Sequence, residues 1–357
     1  MTSYLKQFVN QFFLIAFSLY KINIIKIFYK QNKKSNNVIW IFPIFPKGII
    51  QYFATAAIIQ DLSLLYSIRD LKDYRIFIGP KIGKIRNKKV FYNFTDRFNP
   101  LSIESNSRFL QSIIGLLVMQ GCKTYPSLDE LKYWEDKEYM YQKFKEKNIP
   151  HPNTVNVKIK DDNFEILKST REIFSYPVLL KEHFGNQSKG LHFIQNENIL
   201  RTKLDELHQK SVTSVSIQQL LNSDSDHRVI VIHNKVEQNY ERIRNNDKKE
   251  WQTTSTKFGT ILDFKKLEPS LILKFENLTK ELGLSNAAFD AIIDKDKNIH
   301  ILEVSSSYYT NPKPTINNNE PYLNFKKKIV AHNKEKINVV FRLKELWFKK
   351  YIGELEK

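Results

Sequence analysis

Cysteine is nearly absent: Cys122 is the only one in 357 residues. That excludes an internal disulfide framework and suits a reducing compartment, so a cytoplasmic location is expected. No Cys/His spacing of the zinc type occurs, and neither a GxGxxG fingerprint nor a Walker loop is present. Glycine is scarce, with ten in the chain. Acidic residues are missing from the first 60 positions, which hold seven lysines. Within them Gln7 to Tyr20 is an uncharged, mostly apolar run of 14 residues, short of the roughly 20 that span a bilayer. It lacks the small-residue cleavage site of a signal peptide. A helix packed on the domain is expected there, with an interfacial helix on an anionic membrane as the alternative.

What is abundant is positive charge: 56 Lys and Arg against 38 Asp and Glu, a net of +18. An anionic partner is implied, and nucleic acid, phosphates, acidic glycans and anionic lipid all satisfy it. Aromatic and basic residues form no recognisable nucleic-acid module, which disfavours that class. With 41% apolar content, a chain of this length buries a large core and divides into two or three subdomains.

Four segments are expected: 1–36, the basic apolar start; 37–124, a small α/β subdomain; 125–320, the main domain; and 321–357, a basic helix. In the second, VIWIFPIF, a helical stretch, YRIFIG and KVFYNF give strand, helix and strand order. Ser127 and Glu130 form a capping box that opens one amphipathic helix, stopped by Asn148, Pro150 and Pro152. YPVLLKEHFGNQSKGLHFI reads as strand, polar loop, strand, with Lys181 closing the first. The loop's amides and Lys189 suit an anionic group, although ordinary hairpins look the same. SVSIQQLLNSDSDHRVIVIHNKVEQNYERIR gives a buried strand into Gln218 and Gln219, then a hairpin turning at Asn234 and Lys235, then Arg242 and Arg244. A helix from Pro269 stops at Gly283.

The stretch LSNAAFDAIIDKDKNIHILEVS, 284–305, reads as a β-hairpin turning between Asp294 and Asn298. A turn centred near Asp296 puts Asp290 across from Glu303. Cross-strand neighbours have Cβ atoms roughly 5 Å apart, so two bare carboxylates there repel. A hard divalent cation would resolve this, with Ser305 as a third oxygen on the same face. A Lys or Arg from elsewhere is the alternative.

Taken together, residues 125 to about 310 resemble the ATP-grasp superfamily of carboxylate-amine ligases, closest to ribosomal-protein-modifying glutamate ligases and glutathione-synthetase-like members. The resemblance implies an α/β and α+β architecture: an ATP-grasp fold, with its flap at about 155–215, behind an N-terminal α/β subdomain. It implies that Lys137 and Lys181 reach the nucleotide phosphates, that Gln218, Gln219 and Leu220 form the adenine hinge, and that Asp226 is the ribose-binding acid. Asp290, Glu303 and Ser305 correspond to the metal ligands, for Mg2+ or Mn2+. Arg242 stands where these ligases carry a phosphate-contacting arginine, Arg244 being the alternative, and Arg228 and Lys257 are candidates for the substrate carboxylate. The chain departs from the pattern in having Ser305 for Asn, Gln219 for Glu, and WQTTSTKFG for a Trp-x-x-Asn segment before a glycine pair.

The implied reaction is ATP-dependent amide formation through an acylphosphate. Its acid is a small molecule, peptide or sugar carboxylate, its partner an amine, and a homo-oligomer is compatible. Two other classes remain open: a grasp-fold regulator that binds nucleotide without turnover, and a nucleic-acid-binding protein.

Overall fold

In the computed structural model the described residues are 35–42, 75–78, 83, 85–94, 103–134, 136–160, 162–184, 190–244, 253–254, 260–263, 266–284 and 286–306. The N-terminal apolar run, the polar-loop residues 185–189, Lys257 and the basic C-terminal segment lie outside them. Contacts divide the described chain into two units, one up to Leu131 and one from Lys132 onward.

The first unit holds β1 (Asn37–Phe42), β2 (Arg75–Ile78), β3 (Lys89–Phe94) and β4 (Lys123–Tyr125), in order β2-β1-β3-β4. All three pairings are parallel. Helix α1 (Ile103–Met119) connects β3 to β4, the crossover that parallel neighbours require. The expected strand order is met in the three runs that carry it.

Where the units meet in sequence, the expected single helix is two. The Ser127–Glu130 capping box forms, with Ser127 N donating to Glu130 Oε2 at 3.0 Å and Glu130 N to Ser127 Oγ at 3.1 Å. It opens only the short α2 (Leu128–Lys132). Asp136 then caps α3 (Lys137–Glu146) afresh, accepting from Tyr139 N at 3.1 Å. A second good N-cap inside the sequence outcompetes helix continuation, because its carboxylate satisfies donors that the turn would otherwise leave unpaired.

Two antiparallel sheets follow. One is ordered β5-β8-β6-β7, from β5 (Thr154–Lys158), β6 (Val178–Glu182), β7 (Leu191–Ile194) and β8 (Ser214–Gln219). Helices α4 (Phe164–Ile173) and α5 (Glu197–Gln209) supply Leu167, Leu200 and Leu204 to its core, beside Leu180 and Ile217. The other is ordered β11-β10-β9-β12-β13, from β9 (Ser225–Ile232), β10 (Lys235–Ile243), β11 (Ile261–Asp263), β12 (Asn286–Ile293) and β13 (Ile299–Ser305). The β9–β10 turn falls at His233 and Asn234, both at positive φ, one residue earlier than the sequence suggested. Consecutive positive φ values give the primed turn whose twist matches a two-residue hairpin. Helix α6 (Pro269–Glu281) carries Pro at its start, and Gly283 follows its end at φ 72°.

One face of the second sheet is apolar. Val229, Val231, Ala287, Phe289, Ala291, Ile301 and Val304 pack against Met140, Tyr141 and Phe144 of α3 and Leu271 and Phe275 of α6. The other face is free to carry charge.

Candidate active site

Hairpin β12–β13 pairs Asp290 with Glu303, but not through its turn alone. Ile293 faces Ile299, Ile292 faces His300 and Ala291 faces Ile301. Continued regularly, that register would set Asp290 against Leu302. A one-residue bulge intervenes, and beyond it Asp290 meets Glu303, Phe289 meets Val304 and Ala288 meets Ser305. A bulge resets the alternation of faces. Ile301 and Val304 can therefore both lie in the core, with Glu303 and Ser305 on the opposite face.

The same polar face continues across the sheet, where Asp290 neighbours Arg228, Arg228 neighbours Tyr240, and Asp226 pairs with Arg242. Arg228 Nη1 donates to Asp290 Oδ1 at 2.8 Å, and Arg242 Nη2 reaches the same oxygen at 3.0 Å. Burial opposes ionisation of Asp290, but the two guanidiniums outweigh it and hold the carboxyl below its usual range. Of the two alternatives for the carboxylate pair, the arginine one is seen: Arg228 and Arg242 neutralise Asp290, while Glu303 stands opposite it.

Asp226 is buried. It accepts a two-pronged contact from Arg242, Nε to Oδ1 at 2.5 Å and Nη2 to Oδ2 at 2.8 Å. Thr254 Oγ1 donates to Oδ2 as well. Burial raises its pKa, with Arg242 working the other way. Both oxygens are engaged inside the sheet's charge network. Arg244 sits past the end of β10, its N–H donating to Asp224 O at 2.7 Å.

The lysines come from other elements. Lys137 opens α3, and its backbone N–H donates to His183 O at 3.2 Å. Lys181 lies on β6 and donates from Nζ to Tyr141 Oη at 3.0 Å. Both lysines are only 8% exposed. Burial pulls Lys181 down to about 8, against the attraction of Glu303 and with help from the nearby Lys137 charge. Asp290 also acts on Lys181, so the two lysines and the hairpin carboxylates share one electrostatic neighbourhood.

The residues expected to form the hinge divide by strand alternation. Gln218 points inward and donates to Tyr141 Oη at 3.1 Å and Thr154 Oγ1 at 2.8 Å, while Gln219 is exposed. Gln219 and Leu220 line a cavity of about 570 Å³, together with Tyr176, Pro177 and Arg244. Among the described residues no three His, Cys, Asp or Glu side chains form a metal-binding cluster, so any cation here draws on Ser305 or on its ligand's own oxygens. Sequence reasoning passed over the hydroxyls of Tyr141 and Thr254. An aromatic at helical spacing gives no sign that its hydroxyl is the part in use.

A model of the RimK-like ATP-grasp domain matches residues 135–331. The chain belongs to the RimK-like ATP-grasp family. Its members are ATP-dependent ligases. Solved structures with the same fold include the D-cycloserine synthetase DcsG, at TM-score 0.54 and 11% identity, covering 86% of this chain and 100% of that one. D-alanine–D-alanine ligase from Bacillus anthracis matches at TM-score 0.52 and 13% identity, over 89% and 99%. VanG D-Ala:D-Ser ligase from Enterococcus faecalis matches at 0.52 and 13%, over 86% and 100%. No curated protein sequence matches significantly. The fold expectation, ATP-grasp behind an α/β subdomain, is met. Among the described residues no helix of this ATP-grasp protein is long and apolar enough to cross a membrane.

Proposed function

We propose that this chain joins a carboxylate to an amine at the expense of ATP. The observation that carries the reading is the gathering of buried Lys137 and Lys181 with Asp290 and Glu303, two cations beside two carboxylates. Lys137 and Lys181 bind the phosphates as point charges, and Gln219 and Leu220 offer the hinge to adenine.

Glu303, Ser305 and Asp290 fit a magnesium or manganese ion. They are hard oxygen donors on one face, and both arginine contacts fall on Asp290 Oδ1, which leaves Oδ2 for a cation. Such an ion, when bound, neutralises charge on the β- and γ-phosphates. Arg228 fixes Asp290, and Asp226 holds Arg242 in place. Arg242 then stabilises the γ-phosphoryl group as it passes to the substrate carboxylate, giving ADP and an acylphosphate. The amine attacks the acyl carbon, inorganic phosphate leaves, and the nitrogen loses a proton. Lys257, with Arg228, is the candidate for receiving the substrate carboxylate.

The test is phosphate release by purified protein with ATP, with and without magnesium, against a panel of amino acids and uronic acids. Release that needs magnesium and one pairing of acid and amine supports a ligase. A magnesium-dependent thermal shift with ATP but no release under any pairing establishes instead a nucleotide-binding regulator, and no shift at all refutes the reading.

A further inference from the structure

Tyr141 lies in the apolar face of α3, 3% exposed, against Phe144 and the stacked His151 ring. Its hydroxyl has one proton and two lone pairs, and all three are used. It donates to Leu302 O at 3.0 Å and accepts from Lys181 Nζ at 3.0 Å and Gln218 Nε2 at 3.1 Å. Leu302 is the extra residue of the bulge, and a bulge leaves such a residue outside the ladder. Neighbouring backbone groups are met in the same way: Ile301 N donates to Pro150 O at 2.8 Å, and Val304 N to Met140 Sδ at 3.3 Å. The segment 140–150 thus clasps the bulge from the sheet's edge.

We infer that Tyr141 is a positioning residue, one phenol oxygen that fixes both the Lys181 ammonium and the bulge that turns Glu303 out of the core. The lysine belongs to one sheet and the carboxylate to the other, and Tyr141 sets one against the other. Removing the hydroxyl leaves Leu302 O and Lys181 Nζ without this partner, while Gln218 keeps Thr154. The ring's packing is untouched. This inference rests on the nucleotide reading for its effect on binding, though not for its effect on the bulge.

The experiment uses the full chain as wild type, Tyr141→Phe and Tyr133→Phe. Tyr133 is a control that also donates to a buried carbonyl, Leu282 O at 3.4 Å, in the same core. Amide exchange is followed at residues 301–304, and binding of a non-hydrolysable ATP analogue is titrated across magnesium concentrations. In Tyr141→Phe, exchange at the bulge should accelerate several-fold relative to β12. Analogue affinity should fall roughly tenfold, with more magnesium needed for half-saturation. Tyr133→Phe should match wild type in both. Unchanged bulge exchange and affinity in Tyr141→Phe overturns the inference, as does an equal loss in Tyr133→Phe, which would mark general loosening of the core. If wild type binds no analogue at any magnesium concentration, the nucleotide reading fails, and bulge exchange alone then decides the role of Tyr141.

Discussion

Replacing Lys181 by Met removes a buried charge and keeps the length of the side chain. Burial lowers the lysine from 10.5 to about 8 in the folded chain. At roughly 1.4 kcal/mol per unit, holding that ammonium inside costs on the order of 3 kcal/mol at neutral pH. Below pH 8 the group is protonated both folded and unfolded, and the cost is complete. Between pH 8 and 10.5 the folded chain releases the proton while the unfolded chain retains it, so wild-type stability rises with pH. Above 10.5 both forms are neutral and the cost is gone. Lys181→Met should therefore unfold at higher urea than wild type at pH 7, by up to about 3 kcal/mol less the lost contact to Tyr141. The advantage should shrink to nothing by pH 10.5. Urea titrations of both proteins from pH 6.5 to 10.5, without nucleotide, measure it. A difference constant across that range, or a variant less stable at pH 7 than at pH 10, would refute the argument from burial. The same variant should lose nucleotide binding, since the charge that burial disfavours is the one offered to phosphate.

Three further outcomes are expected. Glu303→Gln should abolish ATP turnover while the melting temperature stays within a few degrees, and normal turnover would remove the hairpin from the active site. Arg242→Met strips Asp226 of its forked partner and Asp290 of one of two, so stability should fall by about 3–5 kcal/mol in urea unfolding; a neutral effect would show that the network carries no strain when opened. Nucleotide binding near pH 8.5 should take up protons as phosphate restores the Lys181 charge, seen as binding heats that vary with the buffer's ionisation enthalpy, whereas buffer-independent heats would place Lys181 away from the phosphates.

The hairpin was legible because its turn residues stand between two apolar runs, and local pattern decides such features; Lys137 and Lys181 were singled out only through the family resemblance. The α2–α3 break was not legible, since Asp136 and Ser127 are both good caps and only the tertiary setting makes both start helices. A basic partner for Asp290 was foreseen as an alternative, but which arginines supply it was not legible: that depends on β9 lying beside β12, a pairing between segments some 60 residues apart. The use of Asp226 as the anchor of Arg242 likewise follows from hairpin register rather than from its distance along the chain from Gln219. One signal did sit in the sequence unread. In IHILEVS the core positions are Ile299, Ile301 and Val304, spaced two and then three, and that change of step marks the bulge.

Counting residues between two carboxylates is consequently a poor way to find this arrangement in other chains. If the turn gained one residue and β13 lost its irregularity, Asp290 and Glu303 would still oppose each other. Ile301, however, would join Glu303 on the charged face, and the hydrophobic layer beneath would be missing a side chain. A relative can drift in turn length and keep the site, provided the apolar residues retain their two-then-three rhythm. One that preserves the count of 13 but loses that rhythm has kept the spelling and changed the structure.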